Sequence, residues 1–127
     1  MKVRVETANA PKPIGAYSQA VKAGDFVFIS GQIPLDPETG ELVEGGAKEQ
    51  AARVLDNLEA ILKAAGSTMN DILKLTVFLA DLEWFSEVNG VLTDRLGGDF
   101  PAREVVEVAR LPKGAGLEVS AIAAARE

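Results

Sequence analysis

The chemistry open to this chain is narrowed by what it lacks. It has no His and no Cys, which removes an imidazole base, a thiolate nucleophile and an ordinary zinc site. Carboxylates, Arg, Lys, Tyr, Ser, backbone groups and water remain. Among these, Arg103 stands out by its place. It lies at the mouth of FPAREVVEVARLP, residues 100–112, where Val105, Val106 and Val108 favour a pleated strand between Pro101 and Pro112. A guanidinium there reads two ways: a solvated charge marking a strand end, or a clamp for a carboxylate. The residues alone leave both open. There is no GxGxxG, no GxxxxGK[ST] and no DxDxDG-type run, so nothing supports a nucleotide cradle or a calcium loop.

The whole chain sets the bounds within which such a site must be built. At 127 residues, 47% hydrophobic and 25% charged, residues 1–127 are expected to form one globular domain with its own core. No apolar run approaches the roughly 20 residues that span a bilayer. The opening segment MKVRVETANAPKP lacks the apolar centre of a signal peptide, so a cytoplasmic protein with no membrane partner is expected. A net charge of -6 argues against nucleic acid as a main partner, because phosphate binding needs a basic face.

The elements that would position Arg103 follow from periodicity and turn signals. Val3–Val5 reads as a short edge strand, and ANAPKPIG as a loop. AYSQAVKAGDFVFIS reads as two strands turning at Ala23-Gly24-Asp25. Phe26–Ile29 is apolar on both faces and so reads as central. After the turn-rich GQIPLDPETGELVEGG comes the clearest helix, Ala47–Ala65, with Ala51, Val54, Leu55, Leu58, Ile61 and Leu62 on one face and Gly66 as its stop. DILKLTVFLA is a strand. Asp81 is placed to cap a second helix with Phe85, Val88, Leu92 and Leu96 on its buried stripe, ended by Gly97-Gly98. Two strands close the chain, near Arg103–Val108 and Leu117–Ala124. Each strand-helix-strand unit is expected to be a right-handed parallel crossover, which puts both helices on one face of a sheet. The other face stays apolar without a cover, and this predicts a homo-oligomer packed through it.

GAYSQAV at 15–21, ISGQIP at 29–34 and PAREVVEVARLPKGAGLEVSAIA at 101–123 resemble the RidA (YjgF) family of enamine/imine deaminases, in order along nearly the whole chain. The resemblance implies a chorismate-mutase-like α+β fold: one mixed β-sheet, two helices on one face, and a homotrimer packed through the other. It implies hydrolysis of 2-imino acids, such as 2-iminopropanoate from 2-aminoacrylate, or 2-iminobutanoate, to 2-keto acids and ammonia. It also implies no metal, no organic cofactor, and ligands held in clefts between subunits. The family's carboxylate-binding arginine falls on Arg103 and its water-positioning glutamate on Glu118. Other pocket positions fall on Tyr17, Ser30, Gly31 and Asn89. Val105 stands where many members carry Cys, at a position expected to act through its backbone N–H. Ser120 stands where many relatives have a second acidic residue.

The residues suit that chemistry. A 2-imino acid carries a planar carboxylate beside a C=N bond, and Arg103 can grip it through two parallel hydrogen bonds. Glu118 can take a proton from an attacking water and return one to the departing amine. Tyr17 can bond to ligand or wall the pocket, Ser30-Gly31 ends a buried strand where backbone can approach a ligand, and Asn89 lies in the second helix. Each also has a plain structural reading, from strand end to helix polarity. The same clamp would serve a non-catalytic 2-keto acid sensor or a chaperone-like protein. A ribonuclease or translation-inhibitor reading is opposed by the missing His and the acid balance. If the last two strands run in opposite directions, Arg103 and Glu118 lie roughly 20 Å apart in one subunit. Glu118 would then sit beside its own Ser30 and Gly31 and face Arg103 of a neighbour.

Overall fold

The computed structural model describes residues 1–126. Six strands form one sheet: β1 (Lys2–Val5), β2 (Ala20–Ala23), β3 (Phe26–Gln32), β4 (Ile72–Leu79), β5 (Ala102–Glu107) and β6 (Leu117–Ala124). Helix α1 (Ala47–Ala64) separates β3 from β4, and α2 (Phe85–Leu96) separates β4 from β5. The order across the sheet is β1-β2-β3-β6-β4-β5. The last strand inserts in the middle, antiparallel to both β3 and β4, while β4 and β5 are parallel neighbours. Both helix-containing connections therefore join strands of the same direction, the first across the gap that β6 fills. This is a mixed α+β sheet with two helices, as the sequence predicts.

Period-two burial gives the sheet two unlike faces. Along β6, Leu117, Val119, Ala121 and Ala123 are buried, and the residues between them are half-buried. The buried set joins Val27, Ile29, Leu75, Val77 and Leu79 in one core with Val54, Leu55, Leu58, Ile61 and Leu62 of α1 and Val88, Leu92 and Leu96 of α2. Each fully buried Leu or Ile contributes about 1.5–3 kcal/mol by leaving water. At the start of α1 the Glu49 carboxylate accepts the Gly46 N–H at 2.9 Å and satisfies one orphan donor. Past its end, Gly66 takes a φ of +84° that L-residues with a Cβ rarely adopt.

Two local expectations change. Asp81 caps a short 3₁₀ turn, Leu82–Trp84, by accepting the Glu83 N–H at 2.9 Å, and α2 begins after that turn. Phe85 consequently leaves the buried stripe of α2 and is 39% exposed, turned toward Arg103. The face opposite the helices carries Phe26 and Phe28, 45% and 44% exposed, with ring centroids 6.2 Å apart. Val106, on the same face, is also exposed. Among the described residues, no helix is long and apolar enough to cross a membrane.

Candidate functional site

The candidate site residues fall into two groups on opposite faces of the sheet. The first borders an open cleft of about 410 Å³ whose lining includes Tyr17, Ser30, Gly31, Ile33, Pro112 and Glu118. A β-bulge shapes it. Ile29 pairs with Ala121 and Gln32 with Val119, so Ser30 and Gly31 together oppose Ser120. Such a bulge bends the strand and re-aims the side chains around it. The Ser30 hydroxyl donates to the Ser18 carbonyl at 2.6 Å, and its N–H donates to the Gln19 carbonyl at 3.0 Å. These bonds tie the Tyr17 segment to β3. Tyr17 is half-exposed and presents its ring to the cleft.

Glu118 enters this cleft from β6, level with Phe78 on the face away from the helices. Burial pushes its carboxyl above the ordinary glutamate range, because partial removal from water disfavours the charged form. A carboxylate poised nearer neutrality is a better proton acceptor and donor for water chemistry. The start of β6 is fixed just upstream. The Gly116 N–H donates to Gln50 Oε1 at 2.9 Å, and the Trp84 ring lies so close that a Cβ on Gly116 would collide with it.

Two buried amides that the sequence reading missed hold the cleft walls. Gln19, 2% exposed, donates through Nε2 to the carbonyls of Thr7, Ala10 and Pro11 at 2.9–3.2 Å, and its Oε1 accepts the Thr7 N–H at 2.8 Å. It fastens the proline-rich loop that forms one wall. Asn57, fully buried on α1, donates to the Leu35 carbonyl at 3.0 Å and holds the opposite wall. Asn57 had a visible signal: it interrupts the apolar stripe of α1 next to Leu58. Gln19 had none beyond standing beside the apolar pair Ala20-Val21.

The second group lies on the helix face. Arg103, near the start of β5, is level with buried Leu75 and turns toward α2. Its Nη1 donates to Asn89 Oδ1 at 2.6 Å, and its guanidinium carbon stands 5.5 Å from the centroid of the Phe85 ring. The amide and the ring face hold the fork from two sides. Beside it opens a cleft of about 370 Å³ lined by Asn89, Leu92, Leu96, Phe100, Pro101 and Arg103. Val105 follows two residues on, half-buried on the same face beside Val77.

The structure therefore brings Glu118, Tyr17, Ser30 and Gly31 together, and Arg103 and Asn89 together, but separates the two groups. Arg103 is level with Leu75 and Glu118 with Phe78. Three residues along β4 and two strand spacings across give a Cα separation of about 14 Å. This is shorter than the roughly 20 Å expected from two strands paired end to end. The strands are indeed antiparallel, but β4 lies between them and the register is staggered. The separation is nonetheless complete, because the sheet itself stands between the two side chains.

The chain resembles known proteins over nearly its whole length. The family described as Endoribonuclease L-PSP matches residues 7–125. A RutC family protein of Pyrococcus horikoshii is 54% identical over 97% of this chain and 98% of its own length. A rat protein named 2-iminobutanoate/2-iminopropanoate deaminase is 47% identical over 94% of this chain and 87% of its own length. The crystal structure of E. coli TdcF with bound serine superposes with a TM-score of 0.91 at 44% identity, over 98% of this chain and 99% of that one. By this match over nearly its whole length, the chain belongs to the RidA (YjgF) family, the group described as Endoribonuclease L-PSP.

Proposed function

We propose that the protein hydrolyses reactive 2-imino acids to 2-keto acids and ammonia, at sites shared between subunits of a homotrimer. The observation that carries this reading is the division of one catalytic set between two sheet faces. A braced arginine fork, Arg103, is exposed on one face, and a desolvated carboxylate, Glu118, lines a cleft on the other. A molecule a few ångströms long cannot reach both in one chain, whereas a neighbouring subunit can present its Arg103 to the Glu118 cleft. The exposed Phe26 and Phe28 face offers the apolar surface such an assembly would bury. The mammalian relatives named as deaminases and the amino acid bound to TdcF support a small carboxylate-bearing substrate.

In this reading Arg103 grips the substrate carboxylate bidentately and fixes the plane of the C=N bond. Water oxygen bonds to C2 of the iminium as Glu118 takes one water proton. Glu118 passes that proton to the nitrogen. The C–N bond then breaks as the C=O bond forms, releasing ammonia, and the hydroxyl proton goes to Glu118 or solvent. The electrophile is already reactive, so orientation and a delivered water supply the acceleration. This balance calls on no cofactor. Tyr17 and the Ser30-Gly31 backbone shape the cleft, Asn89 orients Arg103, and Val105 contributes its backbone.

The test is to generate 2-aminoacrylate in situ and follow keto acid release above the spontaneous rate. The wild-type chain is expected to accelerate release, and Arg103→Lys to lose at least about tenfold while remaining folded, because the charge stays but the fork geometry goes. Near-normal turnover by Arg103→Lys would remove Arg103 from the clamp. No acceleration by the wild type, together with saturable 2-keto acid binding, would replace the enzyme with a sensor.

A further inference from the structure

Gly31 is placed unlike most other glycines of the chain. Gly24, Gly40, Gly66, Gly97, Gly98 and Gly114 all take positive φ and have open space where a Cβ would stand. Gly31 does not take positive φ, so left-handed backbone is not what calls for glycine there. What a side chain there would meet is the Glu118 carboxylate. A Cβ built on Gly31 would lie 2.8 Å from Glu118 Cδ and 3.0 Å from its Cγ, and would overlap Oε2 outright. Among the described residues, no hydrogen bond or ion pair fixes the Glu118 carboxylate. The close approach to Gly31 bounds its position in the cleft.

We propose that Gly31 is a positioning residue: its missing side chain is the berth in which the Glu118 carboxylate lies against the β3 backbone. The bulge sets Ser30 and Gly31 together opposite Ser120 of β6, one residue from Val119 and two from Glu118. A methyl group there would drive the carboxylate out toward solvent, away from the water it must activate. The same burial that holds it raises its proton affinity. The inference rests on the deaminase reading for its catalytic consequence, but the berth itself can be tested without turnover.

The experiment compares wild type, Gly31→Ala, Glu118→Asp and the double variant. Gly31→Ala is expected to lower kcat by about 10- to 100-fold with little change in KM, since a shift near 1 Å in a reacting group has that effect. The shorter Asp removes the atom that overlaps the added methyl outright and relieves the clash, so the double variant is expected to be more active than Gly31→Ala alone. The second readout is ¹³C NMR titration of the Glu118 carboxyl, which in Gly31→Ala should fall back toward the ordinary glutamate value. If the wild type proves inactive, the deaminase reading fails and this titration alone decides the berth. Losses that simply multiply in the double variant, or an unchanged titration in Gly31→Ala, would overturn the proposal. If Gly31→Ala does not fold but the double variant does, the overlap with Glu118 is demonstrated. If neither folds, the glycine serves the bulge and not the carboxylate.

Discussion

Glu118 is half-buried with no cation of its own chain to offset the loss of water, and this fixes the sign of its pH response. Its carboxyl is raised by burial, so it holds its proton to higher pH than an exposed glutamate would. A general base must be ionised, so kcat is expected to fall on the acid side, through a pKa above the ordinary carboxylate range. The shared-site reading places a neighbour's Arg103 nearby, which alone would pull that pKa down. In the substrate complex, however, the substrate carboxylate neutralises the guanidinium, and kcat reports that complex. Measuring kcat across the acid range checks this; an acid limb at or below the ordinary glutamate range would show that burial does not govern the group. At this scale the sequence was only partly legible. Arg103 and Glu118 were nameable from the closing motif, yet no local spacing shows that they sit on opposite faces of the sheet. Nor could the Asn89 partnership be read, because a contact from α2 to β5 depends on how the helix lies over the sheet, not on the period of either element.

The elements were more legible where period and stop signal agree. α1 carries its apolar stripe and its glycine stop in the sequence, and β6 alternates cleanly from Leu117 to Ala124. The entry to α2 was less clear, because Asp81 can cap either a helix or a single 3₁₀ turn. Least legible were the loops that wall the cleft, because their order comes from single buried side chains reaching across the chain. Gln19 is the sharpest case. Replacing it by Leu would strip the carbonyls of Thr7, Ala10 and Pro11 of their donor and the Thr7 N–H of its acceptor. Not all of these groups would be rehydrated, so Gln19→Leu is expected to lower unfolding stability by about 2–4 kcal/mol. The wall it holds should also loosen. Chemical denaturation measures the first effect, and faster amide hydrogen exchange in residues 7–13 measures the second. Full stability with unchanged exchange would mean that the prolines alone order the loop.

The proposed chemistry needs both groups of residues, which the sheet keeps apart in one chain, so it calls for assembly at the scale of the whole molecule. Each chain offers one Arg103 half-site and one Glu118 half-site, so a closed ring of subunits makes as many complete sites as it has chains. The exposed Phe26–Phe28 face is the part of the chain that assembly would cover, and burying it would link stability to catalysis. This leads to a test that no single-chain site could satisfy. Arg103→Ala and Glu118→Ala are each expected to be inactive. Mixed in equal amounts, denatured and refolded together, they should assemble at random. A site then has about one chance in two of an intact Arg103 from one chain, and the same chance of an intact Glu118 from the next. Close to a quarter of wild-type activity is therefore expected to return from two inactive parents, and refolding either parent alone should restore none. Native mass spectrometry can verify that mixed trimers form. If they form and no activity returns, both residues must serve the substrate from one chain. The separation of Arg103 and Glu118 by the sheet would then have to be undone by a rearrangement of β5 on assembly.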